Sequence, residues 1–410
     1  MDKTAISRGL QRAPLGQFLL WLGPWIALLA FGVYCAYLCL RYGLHLTNMD
    51  NRFAFGAWIF LDLTVIALGA GAFFTGFLLY ILKRKELRAV INSAVTIGFI
   101  CYSGAVVILM VDVGQPLRAW FTFWHPNVHS MLTEVTFCIT CYLGVLAFEY
   151  IPILLKNRKL RQIPSFLVFE FNMHKVMYVL AGAGTFLSFF HQGSLGGLYG
   201  VLNGRPFVYR ESFGIWPTTF FLFIVSAAAA GPSFILLTTW ITSKVTKKRL
   251  VTQEVYESLG KISGYILIGY VLFKTIDTLV WISMTAPGMG VHPDSFFASK
   301  PGYTALHLLE VTIFGFLPMA IYMTKRLRSQ IKWLVTAAVL TCLGIVVNRY
   351  ILTIQTLALP TLPFDELLSY MPSWQETGAF LMVIAYGMIV YSLSFRYANL
   401  FPLERELQRN

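Results

Sequence analysis

The chain has 410 residues, 57% of them hydrophobic and only 12% charged. Soluble domains carry about 25% charged residues, so this composition excludes a soluble enzyme and requires an integral membrane protein. The net charge of +13 calls for no nucleic acid, because basic loops against anionic lipid account for it.

In chain order, ten apolar segments are expected at about 18–40, 57–82, 89–111, 130–155, 174–190, 215–241, 258–286, 303–323, 331–355 and 375–397. Runs of roughly 20 apolar residues cross a ~30 Å hydrocarbon core as helices. The fold class expected is therefore all-α, a single membrane domain over 1–410 with ten transmembrane helices. The first segment is too long for the apolar part of a signal peptide, and no small-residue cleavage site ends it. All six cysteines fall inside apolar segments and form no disulfide framework. Cys138-Ile139-Thr140-Cys141 has C-x-x-C spacing, but no histidine follows it, so it reads as packing rather than haem attachment.

Basic residues alternate from loop to loop. One set holds Lys3, Arg8, Arg12; Lys83, Arg84, Lys85, Arg88; Lys156, Arg158, Lys159, Arg161; Lys244, Lys247, Lys248, Arg249; Lys325, Arg326, Arg328, Lys332; and Arg396, Arg405, Arg409. The other loops hold Arg41, Arg52, Arg118, Arg205, Arg210, Lys300 and Arg349. The positive-inside rule then puts both termini in the cytoplasm, with odd spans running outward and even spans inward.

That orientation converts position into depth. Asp62 lies early in the second span, Asp112 ends the third, His129, Ser130 and Glu134 open the fourth, and His191 closes the fifth. All of these fall near the outer face. Ionisable groups at membrane depth are costly and face a bundle interior or a wet cavity, so their convergence marks a candidate site. Ser130 and Glu134, at i,i+4, share a helix face. His129 points another way and also reads as a boundary histidine. Glu149 lies near the inner surface, where it reads as a snorkelling carboxylate beside Lys156 and Arg158 or as the start of a proton route.

The second half carries Lys274 and Asp277 at i,i+3 and His307 and Glu310 at i,i+3, with Asn348 and Arg349 ending the ninth span. These read either as a self-neutralising ion-pair network or as a proton relay. Small residues at Gly69–Gly76, Ala181–Gly184 and Ser226–Gly231 favour close helix approach. A kink is expected at Pro232. Trp120, Trp124, Trp216, Trp281 and Trp374 read as an interfacial belt.

Two stretches carry a family likeness: Pro126-Asn127-Val128-His129-Ser130-Met131-Leu132-Thr133-Glu134 and His191-Gln192-Gly193-Ser194-Leu195-Gly196. With the ten spans they resemble the NrfD/PsrC family, the quinone-reactive membrane subunits of bacterial respiratory complexes. The His-Gln-x-Ser-Leu-Gly stretch is most similar to the ten-helix branch, which includes the quinone reductase complexes of sulfate reducers. The likeness covers nearly the whole chain, but its specific motifs are these two stretches.

The resemblance implies two four-helix bundles, over 57–200 and 215–355, flanked by the first and last spans in the bacterial cytoplasmic membrane. It implies a site for menaquinone or another quinone at the outer side of the first bundle, and no metal or haem in this chain. It implies a periplasmic, ferredoxin-like iron–sulfur subunit as electron partner, with a molybdopterin-type subunit or a multihaem cytochrome c beyond it. On this reading His191 hydrogen-bonds the headgroup, since an imidazole changes charge near neutral pH. Asp62 and Glu134 exchange protons, and Gln192, Ser194, Arg118, His129 and Asp112 support them. Glu149, or Lys274, Asp277, His307 and Glu310, would bring protons from inside. Two other classes stay open: a secondary transporter with a midplane site between bundles, and a haem b cytochrome that pairs His191 with His307 or His129.

Overall fold

The computed structural model describes residues 13–155, 164–202, 205, 207–294, 301–359 and 368–401. Of residues 155, 164–176, 213, 301 and 303 only the backbone is described. Lys3, Arg8, Arg12, Lys156, Arg158, Lys159, Arg161, Lys300, Arg405 and Arg409 lie outside the described residues.

Among the described residues, nine helices are long and apolar enough to cross a membrane. They are α1 (Leu15–Tyr42), α2 (Ala57–Ile81), α3 (Ile91–Asp112), α4 (Met131–Leu154), α6 (Thr218–Thr246), α7 (Gln253–Gly288), α8 (Thr304–Met323), α9 (Ile331–Ala358) and α10 (Trp374–Tyr397). The fifth apolar segment lies within a further long helix, α5 (Pro164–Gly200). The chain is a multi-pass membrane protein, and its described residues are mostly helical.

Most segments keep the bounds read from the sequence, because hydrocarbon thickness sets the length of an apolar run. α5 is the exception. The expected 174–190 is less than half of its 37 residues, a length of roughly 55 Å at 1.5 Å per residue. The stretch from His191 to Gly200, which reads as a flexible boundary, is instead regular helix. Its glycines are contact points: a Cβ on Gly196 would lie 2.3 Å from the Thr219 carbonyl oxygen, and one on Gly193 would lie 2.3 Å from the Phe220 ring. The polar residues do not end the helix because protein, not lipid, surrounds them.

Neighbouring helices pack in sequence, α2 on α3, α3 on α4, α4 on α5, α5 on α6 and α6 on α7, while α1 lies along α10. α2 also crosses α6, where the backbones nearly touch. A Cβ on Gly231 would fall 2.4 Å from the Gly71 nitrogen. This is the close approach that small residues permit in membranes. α6 continues as one helix through Pro232.

Widened π turns occur at Phe77–Ile81, Trp281–Thr285, Thr312–Phe316 and Ile351–Gln355. Pro287 and Pro318 follow two of them. Proline removes an i→i−4 donor, and a π turn absorbs the mismatch.

On the side of the α1–α2 connection, Ser373 caps α10 in a capping box with Glu376. The Glu376 carboxylate accepts from the Asn48 amide at 3.2 Å and from the Tyr370 hydroxyl. Tyr370 in turn accepts from the Ala57 amide at 3.0 Å, which fixes the first residue of α2. In the same connection, Asp50 accepts from the Phe53 and Arg52 amides at 2.7 and 2.8 Å. The Phe53 bond in particular holds its carboxyl below the usual range. Trp120, Trp124 and Trp374 are exposed, as a belt requires, and Trp216 is half-buried, but Trp281 is buried, with the Arg210 guanidinium 5.2 Å from its ring centre.

Candidate functional site

Two polar clusters lie inside the helical body. The first is built on α2 to α5. Helical spacing on α5 puts Ser188, His191 and Gln192 toward α3 and α4, and all three are fully buried. The His191 ring lies 5.7 Å from that of Tyr102 and beside the Val135 backbone. Neither of its ring nitrogens makes a well-formed hydrogen bond, the Val135 backbone being near but poorly aligned. Gln192 donates to the Ile66 carbonyl at 3.2 Å and to the Tyr102 hydroxyl at 3.4 Å, while its own oxygen accepts nothing. Asp62, one turn before Ile66 on α2, is 2% exposed, and its Oδ1 has no partner.

Buried polar groups are normally satisfied, so several orphans in one place need a ligand or water. The missing partners must both accept and donate: the neutral imidazole offers one of each, the amide oxygen accepts, and the carboxyl does either by charge state. A ligand with carbonyl or hydroxyl oxygens, such as a quinone headgroup, fits that demand.

Around this centre, Asp112 accepts from the Trp58 indole at 2.6 Å. Asp62, Asp112 and Tyr199 lie within electrostatic range of one another. Glu134 is half-buried and meets Ser194 from α5, whose hydroxyl also donates to the Phe190 carbonyl at 2.7 Å. Arg118 and His129 are exposed and do not join the buried centre. They sit in the α3–α4 connection, whose turns leave their side chains on the surface. Glu149 is buried at 7% exposure, which corrects the snorkelling reading.

Buried polar groups lie between the centre and Glu149. Tyr142, two turns before it on α4, is fully buried beside Tyr102 with ring centres 4.6 Å apart. Tyr102 and Ser188 share a hydrogen bond of 3.0 Å, and the Tyr142 hydroxyl lies near Ser188 without a well-formed bond. Sequence reasoning misses Tyr102, Tyr142 and Ser188, because tyrosine and serine are common in spans. The available signal is the i,i+3 spacing of Ser188 and His191, and the i,i+7 spacing of Tyr142 and Glu149.

The second cluster lies among α6 to α9; His307 and Glu310 meet along α8, whereas Lys274 and Asp277, on one face of α7, pair with groups from elsewhere and not with each other. Lys274 meets Glu310 at 3.6 Å, and His307 meets the same carboxylate at 3.9 Å. Asp277 pairs with Arg210 at 3.1 Å and accepts from Thr218. Glu310 also accepts from Tyr270 at 2.9 Å and Asn348 at 2.7 Å. Arg210 comes from the α5–α6 connection, just before a hairpin of β1 (Ser212–Phe213) and β2 (Trp216–Pro217); its sequence position marks it only as an outer-loop charge. Asp277, Glu310 and Arg349 each lie within four residues of a π turn. Residues immediately before a widened turn are rotated relative to a regular helix, which periodicity cannot foresee.

Among the described residues, no three or more His, Cys, Asp or Glu side chains converge as metal ligands would. His191 faces Tyr102 and Val135 while His307 faces Glu310, so these two do not form a facing pair.

The chain matches the family model described as Polysulphide reductase, NrfD, over residues 45–360. It is 48% identical over 410 residues to the "Menaquinone reductase, integral membrane subunit" of Nitratidesulfovibrio vulgaris, covering 100% of this chain and 98% of that one. It is 23% identical to the "Probable Ni/Fe-hydrogenase 2 b-type cytochrome subunit" of Escherichia coli over 89% of this chain and 88% of that one. It is 22% identical to a selenate reductase subunit of Mesobacillus selenatarsenatis over 92% and 93% of the two chains.

Proposed function

Since the chain belongs to the polysulphide reductase NrfD family, we propose that it is the quinone-reactive membrane subunit of a respiratory oxidoreductase complex. The quinone, menaquinone by the name of the full-length relative, binds at the first cluster. Ten spans with both termini in the cytoplasm put that cluster toward the periplasm of the bacterial cytoplasmic membrane, where an iron–sulfur subunit would exchange electrons with it. α2 to α5 and α6 to α9 act as two four-helix bundles, with α1 and α10 alongside. A molybdopterin-type subunit or a multihaem cytochrome c would lie further along the electron path.

The observation that supports this reading most is the set of buried, unpartnered atoms on His191, Gln192 and Asp62. A bound quinone supplies the two-electron, two-proton couple. His191 hydrogen-bonds the headgroup, and Gln192 orients through its anchored amide. Asp62 and Glu134 hold or release protons beside it. His191 is fully buried, so a headgroup reaches it only when neighbouring side chains part. Protons reach the centre from Glu149 through Tyr142, Ser188 and Tyr102, since Lys274, Asp277, His307 and Glu310 are engaged in ion pairs of the second cluster.

A fluorescence titration with a quinol-analogue inhibitor tests the site on the native complex and on His191→Ala. Saturable binding that weakens at least about tenfold in the variant is expected, a loss of about 1.4 kcal/mol. Equal binding in both would move the site elsewhere. The route is tested by charge separation in liposomes, which Glu149→Gln should abolish and Asp277→Asn should leave intact. The reverse result would transfer the route to the second cluster.

A further inference from the structure

The charges of the second cluster do not balance. Arg210 is paired with Asp277, and Lys274 with Glu310. Arg349 remains. Its side chain is 1% exposed, and among the described residues no carboxylate pairs with it. Its direct contacts are neutral: Asn348 Oδ1 at 2.5 Å, Ser226 Oγ at 3.2 Å and the face of the Phe223 ring at 3.6 Å, while Glu310, already paired with Lys274, reaches it only through Asn348. Its Nε–H has no partner at all. A guanidinium cannot shed its proton in a protein, so the charge stays. A buried, uncompensated charge at membrane depth is costly enough to demand a counter-ion.

A small cavity opens at this point, between α6, α7 and α9. It is lined by Arg210, Lys274, Arg349, Asp277, Tyr270 and Asn348, among others. It has room for roughly one water-sized occupant, far too little for a quinone ring. Three cations and one carboxylate line it, with Glu310 set back behind Lys274 and Asn348. A water molecule would satisfy the Nε–H but leave the surplus positive charge. An anion of similar size satisfies both.

We infer that this cavity binds a monovalent anion of chloride size, held by Arg349 with Lys274 and Arg210 around it. The site is independent of the quinone reading, since it rests on the charge count and geometry of the other bundle. Bound there, the anion makes the second cluster electrically neutral.

The test uses the purified full-length complex. In buffers of constant ionic strength, chloride replacing gluconate should raise the thermal midpoint saturably, by about 3 °C or more. Arg349→Gln should abolish that dependence, and Arg349→Lys, which keeps the charge, should retain it. Bromide should give an anomalous diffraction peak in the cavity beside Arg349. A midpoint that follows ionic strength alone, with no bromide peak, would overturn the proposal and leave water as the occupant. If Arg349→Gln fails to fold, the bromide measurement on the unaltered protein decides by itself.

Discussion

The two polar clusters solve one problem in opposite ways. In the second, carboxylates and cations from different helices meet directly, and Glu310 alone gathers Lys274, His307, Tyr270 and Asn348. In the first, His191, Gln192 and Asp62 are equally buried but leave atoms without partners. Burial of polar groups is tolerated when they satisfy one another, or when something mobile completes them. The second cluster, Arg349 apart, is therefore read as a scaffold of fixed charge. The unpaired one is read as a place where a ligand and water come and go.

The sharpest way to break this contrast is to remove one partner from each cluster. Glu310→Ala strands Lys274 in the interior, and a loss of about 3–5 kcal/mol is expected, as for a broken buried pair. Thermal unfolding of the purified complex measures it, and a loss below about 1 kcal/mol would mean the network is not structural. His191→Phe should act the other way round. It breaks no well-formed hydrogen bond and nearly conserves volume, so stability should fall by under about 1.5 kcal/mol. Inhibitor affinity should nonetheless fall at least about tenfold. If stability collapses while affinity holds, the two clusters have been assigned the wrong roles.

Finer changes sharpen the picture. Tyr142→Phe removes a hydroxyl that has no well-formed partner, so about 1 kcal/mol of stability or less is at stake. Charge separation in liposomes should nevertheless slow, because the line from Glu149 loses its middle member. The smallest effect is expected at Asp50, an exposed turn residue whose carboxyl is held low by backbone amides. Such a group stabilises above its unfolded pKa, and the contribution fades as pH falls through its folded value. Asp50→Ala should cost no more than about 0.5 kcal/mol at neutral pH, and the difference should vanish in acid.

Much of this molecule is legible in the amino-acid sequence alone. The apolar runs, the glycine-rich face of α2 and the HQGSLG stretch stand out because bilayer thickness and close helix approach constrain residues near one another in the chain. The likeness of the two motifs to a known family points to the same cluster. The depth of His191 is the exception. Polar residues normally mark a boundary, and only the packing of α3, α4 and α6 around α5 allows them to continue the helix.

Partnership is not legible. Tyr102 meets Ser188 across 86 positions, Gln192 meets Ile66 across 126, and Arg349 reaches Ser226 across 123. Each contact depends on the rotation and vertical register of two helices, and a π turn shifts both by a fraction of a turn. Composition and spacing set how many helices there are and which faces are polar. Which buried group ends with a partner and which is left to bind something else follows from how those helices pack, since a hydrogen bond tolerates only a few tenths of an ångström.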